Sequence, residues 1–498
     1  MHAYIYCSHR QSQCKQSKQQ KSSRRDCPAS VNMARTMSSV RRGAAELVAP
    51  ARATPHEFKP LSDIDDQEGL RFYRSGLFLY RRRAAMDGVD PAAVLRAALS
   101  EALVHYYPLA GRIVEASPGR KLLVECTGEG AVFVAAESGV AMDELGEVTG
   151  PPVPRHEELL CAADGAYADG GVVGRPLLYF QVTRMRCGGF VWGLQICHCL
   201  ADAAGVAQFM TAVGEFARGV PGAPTVKPVW ARELLSARRP PLPRDVAAPR
   251  HPEYEAVPDA GRDKVSHSDA LVHRPFFFGR REIAALRALA PPSLASRSSR
   301  FDLIAAFTWR CRANALQYDA ADAVRVQFVV NARGGGRGRR SNAPPLLPDG
   351  YYGNAFAFAV AESPAGELRR RPFAHALRLV VDAKARAMEE GHLQSVADLM
   401  AARGRPRFAV ARTYVVSDLT RSGLDGVDVG WGAPAYGGPA TATLATFHVA
   451  GRRSGDGEEG VEVPIRLPAP AMERMVVEVA RELGGVDAHT EACLAARL

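Results

Sequence analysis

The clearest pattern along the chain is an apolar run over residues 190–197, followed by a segment with apolar positions at helical spacing. The run is long enough for a buried strand and too short to span a membrane. In the next segment, the apolar positions that define one helix face are Val206, Phe209, Met210, Val213 and Phe216. The pattern therefore predicts a strand over 190–197 and a helix over 203–217, with His198 and Asp202 at the junction.

Similar patterns elsewhere predict an α/β protein. Strands are predicted over residues 76–80, 121–126, 131–134, 275–278 and 324–330. Helices are predicted over residues 91–106, 281–289 and 301–316. The segment from residue 219 to about 262 is rich in proline and lacks periodicity, which indicates a crossover. We therefore expect an N-terminal domain over 43–218, a crossover linker over 219–265 and a C-terminal domain over 266–498.

Three acids precede the first predicted strand. Ser62 is followed three residues later by Asp65, which is typical of a capping box and predicts a short helical turn. Asp63, Asp65 and Asp66 have the chemistry to chelate a cation. Acids at a helix start are more often solvated, however, and we expect these three to be solvated.

The net charge of +10 is concentrated in residues 1–42, which carry +8. The remaining body is nearly neutral, so a broad nucleic-acid-binding face is not expected. Residues 1–42 are rich in Ser, Gln and Lys and lack apolar periodicity, which predicts a disordered basic tail. Their acid-poor composition resembles an organellar transit peptide. The alternative is an upstream extension of the reading frame, with Met33 or Met37 as the true start.

The chain has ten cysteines and no run of 18 apolar residues. A secretory signal core is not found, so we interpret the cysteines as reduced thiols of a cytosolic protein. The triplet Cys197-His198-Cys199 has no second ligand pair at zinc spacing, so a metal is not expected.

His198 is the candidate for chemistry. A neutral imidazole at a strand–helix junction can take a proton from an attacking hydroxyl, a role worth about 10²–10⁴-fold in rate. Of the 13 histidines, His198 alone has an aspartate four residues on, although such a pattern also arises by chance. GxSxG, HExxH and P-loop patterns are absent. Residues 334–340 resemble RNA-binding Gly/Arg segments, with a solvated loop as the alternative.

Several motifs together resemble the plant BAHD acyl-CoA-dependent acyltransferases. HCLAD at residues 198–202 and DVGWG at 428–432 are similar to the family's HxxxD and DFGWG signatures. YPLAGR at 107–112, PPLLPDGYYGN at 344–354 and LPAPAMER at 467–474 follow in the family's order. TPHEFKPLSDIDDQEGLRF at 54–72 and SVADLMAARGRPRF at 395–408 resemble the benzyl alcohol O-benzoyltransferase and taxane acetyltransferase-like branch.

The resemblance implies two chloramphenicol-acetyltransferase-like α/β domains with the active-site channel at their interface. His198 would deprotonate the acceptor hydroxyl, which attacks the acyl-CoA thioester directly. No metal or other cofactor is implied, since acyl-CoA is a co-substrate. Asp202 would turn away from the substrate to pair with Arg333, with Asn354 nearby.

The resemblance assigns the remaining motif residues to support and to CoA binding. The structural segment near the CoA channel comprises Asp428, Gly430, Trp431 and Gly432. The Trp431 indole N–H is also a candidate donor to the tetrahedral oxyanion. Ser298 and Ser299 fall where the family has a Ser/Thr pair facing CoA. Val429 replaces the usual phenylalanine of DFGWG.

Two changes in loop length depart from the family. Residues 334–340 lengthen the connection from Arg333 to Asn354, and the connection from Gly438 to Val461 is shorter than in the family. We expect a monomeric O-acyltransferase that transfers an aromatic group such as benzoyl, or a short group such as acetyl, to a benzyl-type or aliphatic alcohol. The alternatives are an amine N-acyltransferase and a catalytically weak relative that acts as a binding or regulatory protein.

Overall fold

The computed structural model describes residues 40–116, 121–161, 171–239, 249–257, 264–265, 270–333, 346–442, 445–453, 455 and 457–483. All of these residues lie in one compact unit. The segment 334–340 and residues 1–39 of the predicted tail lie outside them.

The first sheet contains seven strands. They are β1 (Val40–Arg42), β2 (Glu46–Val48), β4 (Tyr73–Tyr80), β7 (Ala131–Ser138), β8 (Leu178–Met185), β9 (Phe190–Cys197) and β14 (Tyr436–Pro439). Their order is β1-β7-β8-β9-β4-β14, with β2 also paired to β7. Strand β9 is buried along its whole length because it lies between β8 and β4. The last strand, β14, comes from the C-terminal half of the chain and completes the sheet by pairing with β4.

The second sheet is built by the C-terminal half. Its strands are β10 (Leu271–Phe278), β11 (Ala323–Asn331), β12 (Phe356–Pro364), β13 (Thr413–Asp418), β15 (Ala445–Arg452) and β16 (Glu459–Pro468), in the order β10-β16-β15-β13-β11-β12. A small third sheet has β3 (Phe58–Pro60), β6 (Leu122–Glu125) and β5 (Arg112–Glu115), in that order.

Helices cover the two large sheets. They are α1 (Pro91–His105), α2 (His156–Leu159), α3 (Ala203–Ala217), α4 (Arg280–Ala288), α5 (Pro292–Ala295), α6 (Arg300–Leu316), α7 (Ala365–Arg370), α8 (Phe373–Ala387), α9 (His392–Ala402) and α10 (Ala469–Leu483). Apolar faces of α1 and α3 share one core with the first sheet, and those of α6, α8 and α10 share another with the second. Among the described residues, none of these helices is long and apolar enough to cross a membrane.

Local sequence explains where the two helices of the first core begin. Helix α1 starts after Asp90, whose side chain accepts a hydrogen bond from Ala92 N, with Pro91 at the first helical position. Helix α3 starts after Asp202, whose side chain accepts from Gly205 N. The predicted strand over 190–197 and helix over 203–217 are confirmed at these bounds.

The predicted end of the basic tail is wrong by a few residues. Residues 40–42 form strand β1, which pairs with β7. The Arg42 side chain donates hydrogen bonds to Gln181 Oε1 and to the Glu158 and Leu160 carbonyls. This arginine therefore helps to hold the sheet, although by composition it looks like part of the tail.

Candidate active site

His198 lies immediately after β9, where the chain leaves the first sheet. Its backbone N–H donates to the Phe72 carbonyl at 2.8 Å, which ties the turn to the segment before β4. The imidazole lies between two aromatic rings, with centroid distances of 5.3 Å to Phe72 and 6.4 Å to Phe356. Phe356 is the first residue of β12, so both halves of the chain surround the ring. The side chain keeps a partly exposed face.

This apolar setting keeps the imidazole neutral. Burial lowers the pKa of His198 to about 4, and the nearby Arg74 guanidinium acts in the same direction. Arg74 itself lies 4.9 Å from the centroid of the Phe72 ring and 5.4 Å from that of Phe447. A neutral imidazole carries a free nitrogen lone pair, which a general base requires.

Asn354 holds the backbone of His198 from the C-terminal half. Its Nδ2 donates to the His198 carbonyl at 2.8 Å, and the residue is fully buried. Among the described atoms, His198 Nδ1 and Asn354 Oδ1 are both buried without a hydrogen bond of standard geometry. As an acceptor facing the ring, the Asn354 side-chain oxygen nevertheless acts to raise the pKa of His198, against the larger effect of burial.

Asp202 turns away from His198 and meets Arg333. The two guanidinium N–H groups donate to the two carboxylate oxygens at 2.6 and 2.9 Å. The same carboxylate accepts from Gly205 N and from Ala355 N, each at 3.0 Å. Four hydrogen bonds fill the acceptor positions of this carboxylate, so its orientation is fixed by α3 and by the segment before β12.

A second, fully buried ion pair lies beneath the turn. Arg232 donates to both carboxylate oxygens of Asp65 at 2.8 Å, and the two side chains are 1% and 0% exposed. Arg232 also donates to the Leu200 carbonyl at 2.8 Å. Asp65 accepts from the backbone and side-chain nitrogens of Asn354 at 2.9 and 2.8 Å. Through these contacts the pair connects to both sides of the turn that carries His198.

The sequence-based expectation for the acids at 63–66 is wrong. All three aspartates are buried instead of solvated, at 7%, 0% and 0% exposure for Asp63, Asp65 and Asp66. Each has a cationic partner: Lys121 for Asp63, Arg232 for Asp65, and Arg71 and Arg405 for Asp66. The reciprocal hydrogen bonds expected between Ser62 and Asp65 are present. Paired burial replaces solvation because each aspartate has a cation from a distant part of the chain: Lys121, Arg232 or Arg405.

The DVGWG segment lies far from His198. Asp428 Oδ1 accepts from Gly430 N at 2.7 Å and Gly432 N at 2.9 Å, which closes the loop on itself. The Trp431 ring packs edge-on against Phe190, with centroids 5.1 Å apart. Phe190 begins β9 whereas His198 follows its end, so the length of the strand, about 23 Å from Phe190 to Cys197, separates the two. The hypothesis that Trp431 donates to an oxyanion at His198 is therefore wrong.

The two serines expected near CoA are engaged in local structure. Ser299 caps α6, since its Oγ accepts from Asp302 N at 3.2 Å. Ser298 is buried and donates to the Leu294 carbonyl at 2.7 Å. Lys384 Nζ lies beside this cap and donates to Asp302 at 2.9 Å and to Ser299 Oγ at 3.3 Å. CoA binding by these serines stays a prediction.

Comparison with known proteins gives the same picture. A family model described as "Transferase family" matches residues 39–481. The chain is 48% identical over 452 residues to a benzyl alcohol O-benzoyltransferase of Petunia hybrida, covering 90% of this chain and 94% of that protein. It is 44% identical over 441 residues to alcohol acyltransferase 16 of Actinidia chinensis var. chinensis, covering 88% and 92%. The crystal structure of vinorine synthase is similar at a TM-score of 0.65 and 22% identity, covering 89% and 98%.

The α/β fold with a histidine where its two large sheets meet is that of the two-domain acyltransferases. Within that class, the chain belongs to the BAHD acyl-CoA-dependent acyltransferases, as its HCLAD and DVGWG motifs indicated.

Proposed function

We propose that this protein is an acyl-CoA-dependent O-acyltransferase, with His198 as the general base that activates an alcohol. The observation that carries the proposal is a partly exposed imidazole, kept neutral by burial and enclosed by residues of both halves. Acyl-CoA is the co-substrate of the family to which the chain belongs. The named activities of the benzoyltransferase and alcohol acyltransferase relatives support an alcohol acceptor.

The reaction is a direct transfer. His198 Nε2 takes the hydroxyl proton as the alcohol oxygen attacks the thioester carbonyl carbon, so that a C–O bond forms and the carbonyl oxygen becomes an oxyanion. The oxyanion collapses, the C–S bond breaks, and the imidazolium returns its proton to the CoA thiolate. The ester and free CoA leave, and the histidine is neutral again.

Neighbouring residues hold the base in position for this step. Asn354 Oδ1 is the acceptor available to the Nδ1–H tautomer, which leaves the Nε2 lone pair for the substrate. Asp202 has a positioning role and no part in proton transfer, because its oxygens are occupied by Arg333 and two backbone N–H groups. The DVGWG segment supports the fold at the C-terminal end of α3, through Asp428, Gly430, Trp431 and Gly432. The Asp428 carbonyl there packs directly against the backbone of Gly214, since a Cβ added to that glycine would lie 2.4 Å from the carbonyl oxygen.

We infer that the acyl group is aromatic, such as benzoyl, or short, such as acetyl, and that the acceptor is a benzyl-type or aliphatic alcohol. Acyl-CoA would enter a channel between the two halves, with Ser298 and Ser299 on its CoA side. The protein would act as a cytoplasmic monomer, a setting consistent with the six free cysteines among the described residues.

The test is to incubate the purified protein with benzoyl-CoA or acetyl-CoA and a panel of alcohols, and to detect esters by mass spectrometry. His198→Ala should abolish most ester formation. Cys199→Ala is the matched control, because Cys199 is buried one residue away and donates to the Leu70 carbonyl. It should keep activity, which distinguishes direct transfer from an acyl-cysteine intermediate. Absence of ester from every pair would overturn the proposal.

A further inference from the structure

Two histidines and a glutamate converge about the crossover segment, away from His198. His251 and Glu253 lie in that segment, at a short 3-10 turn (Pro252–Tyr254), and His392 begins α9. One ligand atom from each side chain lies within 4.8 Å of the others. His251 and Glu253 are buried, at 5% and 2% exposure, and His392 is partly exposed.

The hydrogen bonds around His251 are compatible with the tautomer that a metal ligand adopts. Ser395 Oγ donates to the His392 carbonyl at 2.7 Å, which uses the only proton of that hydroxyl. Ser395 Oγ is also 3.0 Å from His251 Nε2, and with its own proton on the His392 carbonyl it accepts from that nitrogen in the Nε2–H tautomer. A ligating histidine typically donates its other N–H to a neighbouring oxygen in this way.

The other nitrogen of His251 then faces a carboxylate. Nδ1 lies 3.1 Å from Glu253 Oε1. With Nε2 protonated, a neutral His251 would bring the Nδ1 lone pair against a carboxylate lone pair in a buried place. In that tautomer a proton or a metal ion between the two atoms would remove the repulsion, whereas the tautomer with its hydrogen on Nδ1 would donate to Glu253 directly.

The third side chain favours a metal ion over a proton. A proton bridges two atoms, and His251 and Glu253 alone would satisfy it. His392 adds an Nε2 atom that is buried without a hydrogen-bond partner among the described residues, and its ring centroid lies 5.2 Å from that of His251. The 3.1 Å separation of His251 Nδ1 and Glu253 Oε1 is close to the separation of about 3.3 Å between two ligands on a tetrahedral zinc ion with bonds near 2.05 Å.

We propose that His251, Glu253 and His392 bind a divalent cation of the zinc class, which links the crossover segment to α9. Two imidazoles and a carboxylate are ligands that suit Zn²⁺, and a water molecule could complete the four-coordinate geometry. The role is structural. Leu393, Val396 and Ala397 of α9 share a buried cluster with Tyr351 and Ala355, on either side of Asn354, so the ion would steady the segment that holds the His198 turn.

The test uses full-length protein purified without a nickel column, stripped with EDTA and returned to Zn²⁺ or Mg²⁺. Bound metal is measured by inductively coupled plasma mass spectrometry and melting temperature by scanning fluorimetry. Zn²⁺ should bind with one more equivalent per chain in the wild type than in His392→Gln or Glu253→Gln. Zn²⁺ should raise the melting temperature of the wild type by several degrees and leave that of the two variants unchanged. Mg²⁺ should neither bind at this site nor raise the melting temperature of the wild type.

A matched control is His56→Gln, which removes the histidine of an exposed pair with Glu125 at 3.2 Å that has no third ligand among the described residues. It should keep the full zinc content and the full shift. Should the stripped wild type melt at the same temperature with and without Zn²⁺, and hold no more zinc than His392→Gln, the cation is a proton and the proposal is wrong. The stripped and reloaded wild type decides this even if a variant fails to fold.

Discussion

A single imidazole carries the chemistry proposed for this protein, and its surroundings set its protonation state. Phe72 and Phe356 exclude water from much of the ring, and Arg74 adds a positive charge nearby. Both effects disfavour the imidazolium and lower the pKa of His198 to about 4, from about 6.5 in an unperturbed histidine. The base is therefore neutral throughout the physiological range, whereas the sequence alone gave no reason to expect a shifted value.

The first prediction concerns His198. His198→Ala should lower kcat/KM by at least about 10²-fold while the melting temperature stays near that of the wild type at pH 7. The acidic limb of the wild-type kcat/KM profile should fall near pH 4, and Arg74→Met should move it upward because a repelling charge is removed. Rate measurements between pH 3.5 and 8 check both points; a limb at about 6.5 would show that burial does not govern this base.

The same shift has a consequence for stability. Because the folded-state pKa is lowered, the unfolded chain binds a proton at His198 between about pH 6.5 and pH 4 that the folded chain does not. Stability contributed by this site is therefore present above pH 6.5 and is lost as the pH falls through that window. On acidification from pH 7 to pH 4.5, the melting temperature of the wild type should therefore fall by more degrees than that of His198→Ala.

The second prediction concerns the Asp202–Arg333 pair. Asp202→Ala and Arg333→Ala should each cost about 3 kcal/mol, near the lower end for buried pairs because the side chains are 11% and 19% exposed. The double variant should be less destabilised than the sum, since no charge is left without its partner. Urea unfolding of all four proteins gives the coupling energy. Normal stability of Asp202→Ala with lost turnover would instead assign Asp202 a part in proton transfer.

At the scale of elements, the turn between β9 and α3 is held by three separate segments. The segment at 62–66 contributes Asp65, the crossover segment contributes Arg232, and the approach to β12 contributes Asn354. Arg232 also lies over the rings of Trp230, Tyr351 and Tyr352, at 4.5, 5.4 and 5.1 Å from their centroids. Such a guanidinium has no water to replace a lost partner, so the carboxylate of Asp65 is required to balance it.

The third prediction concerns this network. Arg232→Met should cost about 3–5 kcal/mol because it leaves the Asp65 carboxylate buried without its counter-charge. At a temperature well below melting, kcat should fall with little change in KM, since the His198 turn loses a support and no substrate contact changes. The control is Asp398→Asn, which breaks a more exposed pair with Arg238 between the same crossover segment and α9. It should cost at most about 1 kcal/mol and leave kcat unchanged.

The elements that the sequence predicts well are those with strong local patterns. Strand β9 and helix α3 have their predicted bounds because continuous apolarity, helical periodicity and the Asp202 cap all lie within 30 residues. The buried state of Asp65 has no local signal, since its partner Arg232 is 167 residues away. For the same reason, the search for metal-ligand spacing around the cysteines did not find the cluster of His251, Glu253 and His392. These residues converge from two distant segments.

At the scale of the whole molecule, the two halves meet where α3 begins. An ideal Cβ on Gly205 would lie 2.0 Å from the Tyr352 carbonyl oxygen, so the helix and the segment before β12 are in backbone contact there. A glycine within a helix normally weakens it by up to about 1 kcal/mol relative to alanine. Glycine is present at position 205 because the two halves approach too closely there for a side chain to fit.

The fourth prediction follows from this contact. Gly205→Ala should destabilise the protein and lower kcat, although alanine is the better helix former, because a backbone atom cannot yield as a flexible side chain does. Gly139→Ala is the matched control, since an added Cβ there meets nothing within 4 Å. Melting temperatures and initial rates of both variants check the prediction; equal values for Gly205→Ala and wild type would mean that the halves separate easily at this point.

Strand β14 also has a consequence for how the protein is made. During synthesis, β9 leaves the ribosome and can pair with the earlier strand β4 about 240 residues before β14 emerges. At about 5–20 residues per second, the β4 edge remains without its outer neighbour for roughly 10–50 s. The last four residues of β4 are buried in the finished protein: Leu77, Phe78, Leu79 and Tyr80. While the edge of β4 is open, these apolar residues make it a site of aggregation. Yield in cells should therefore depend on translation speed and on chaperones that bind nascent chains.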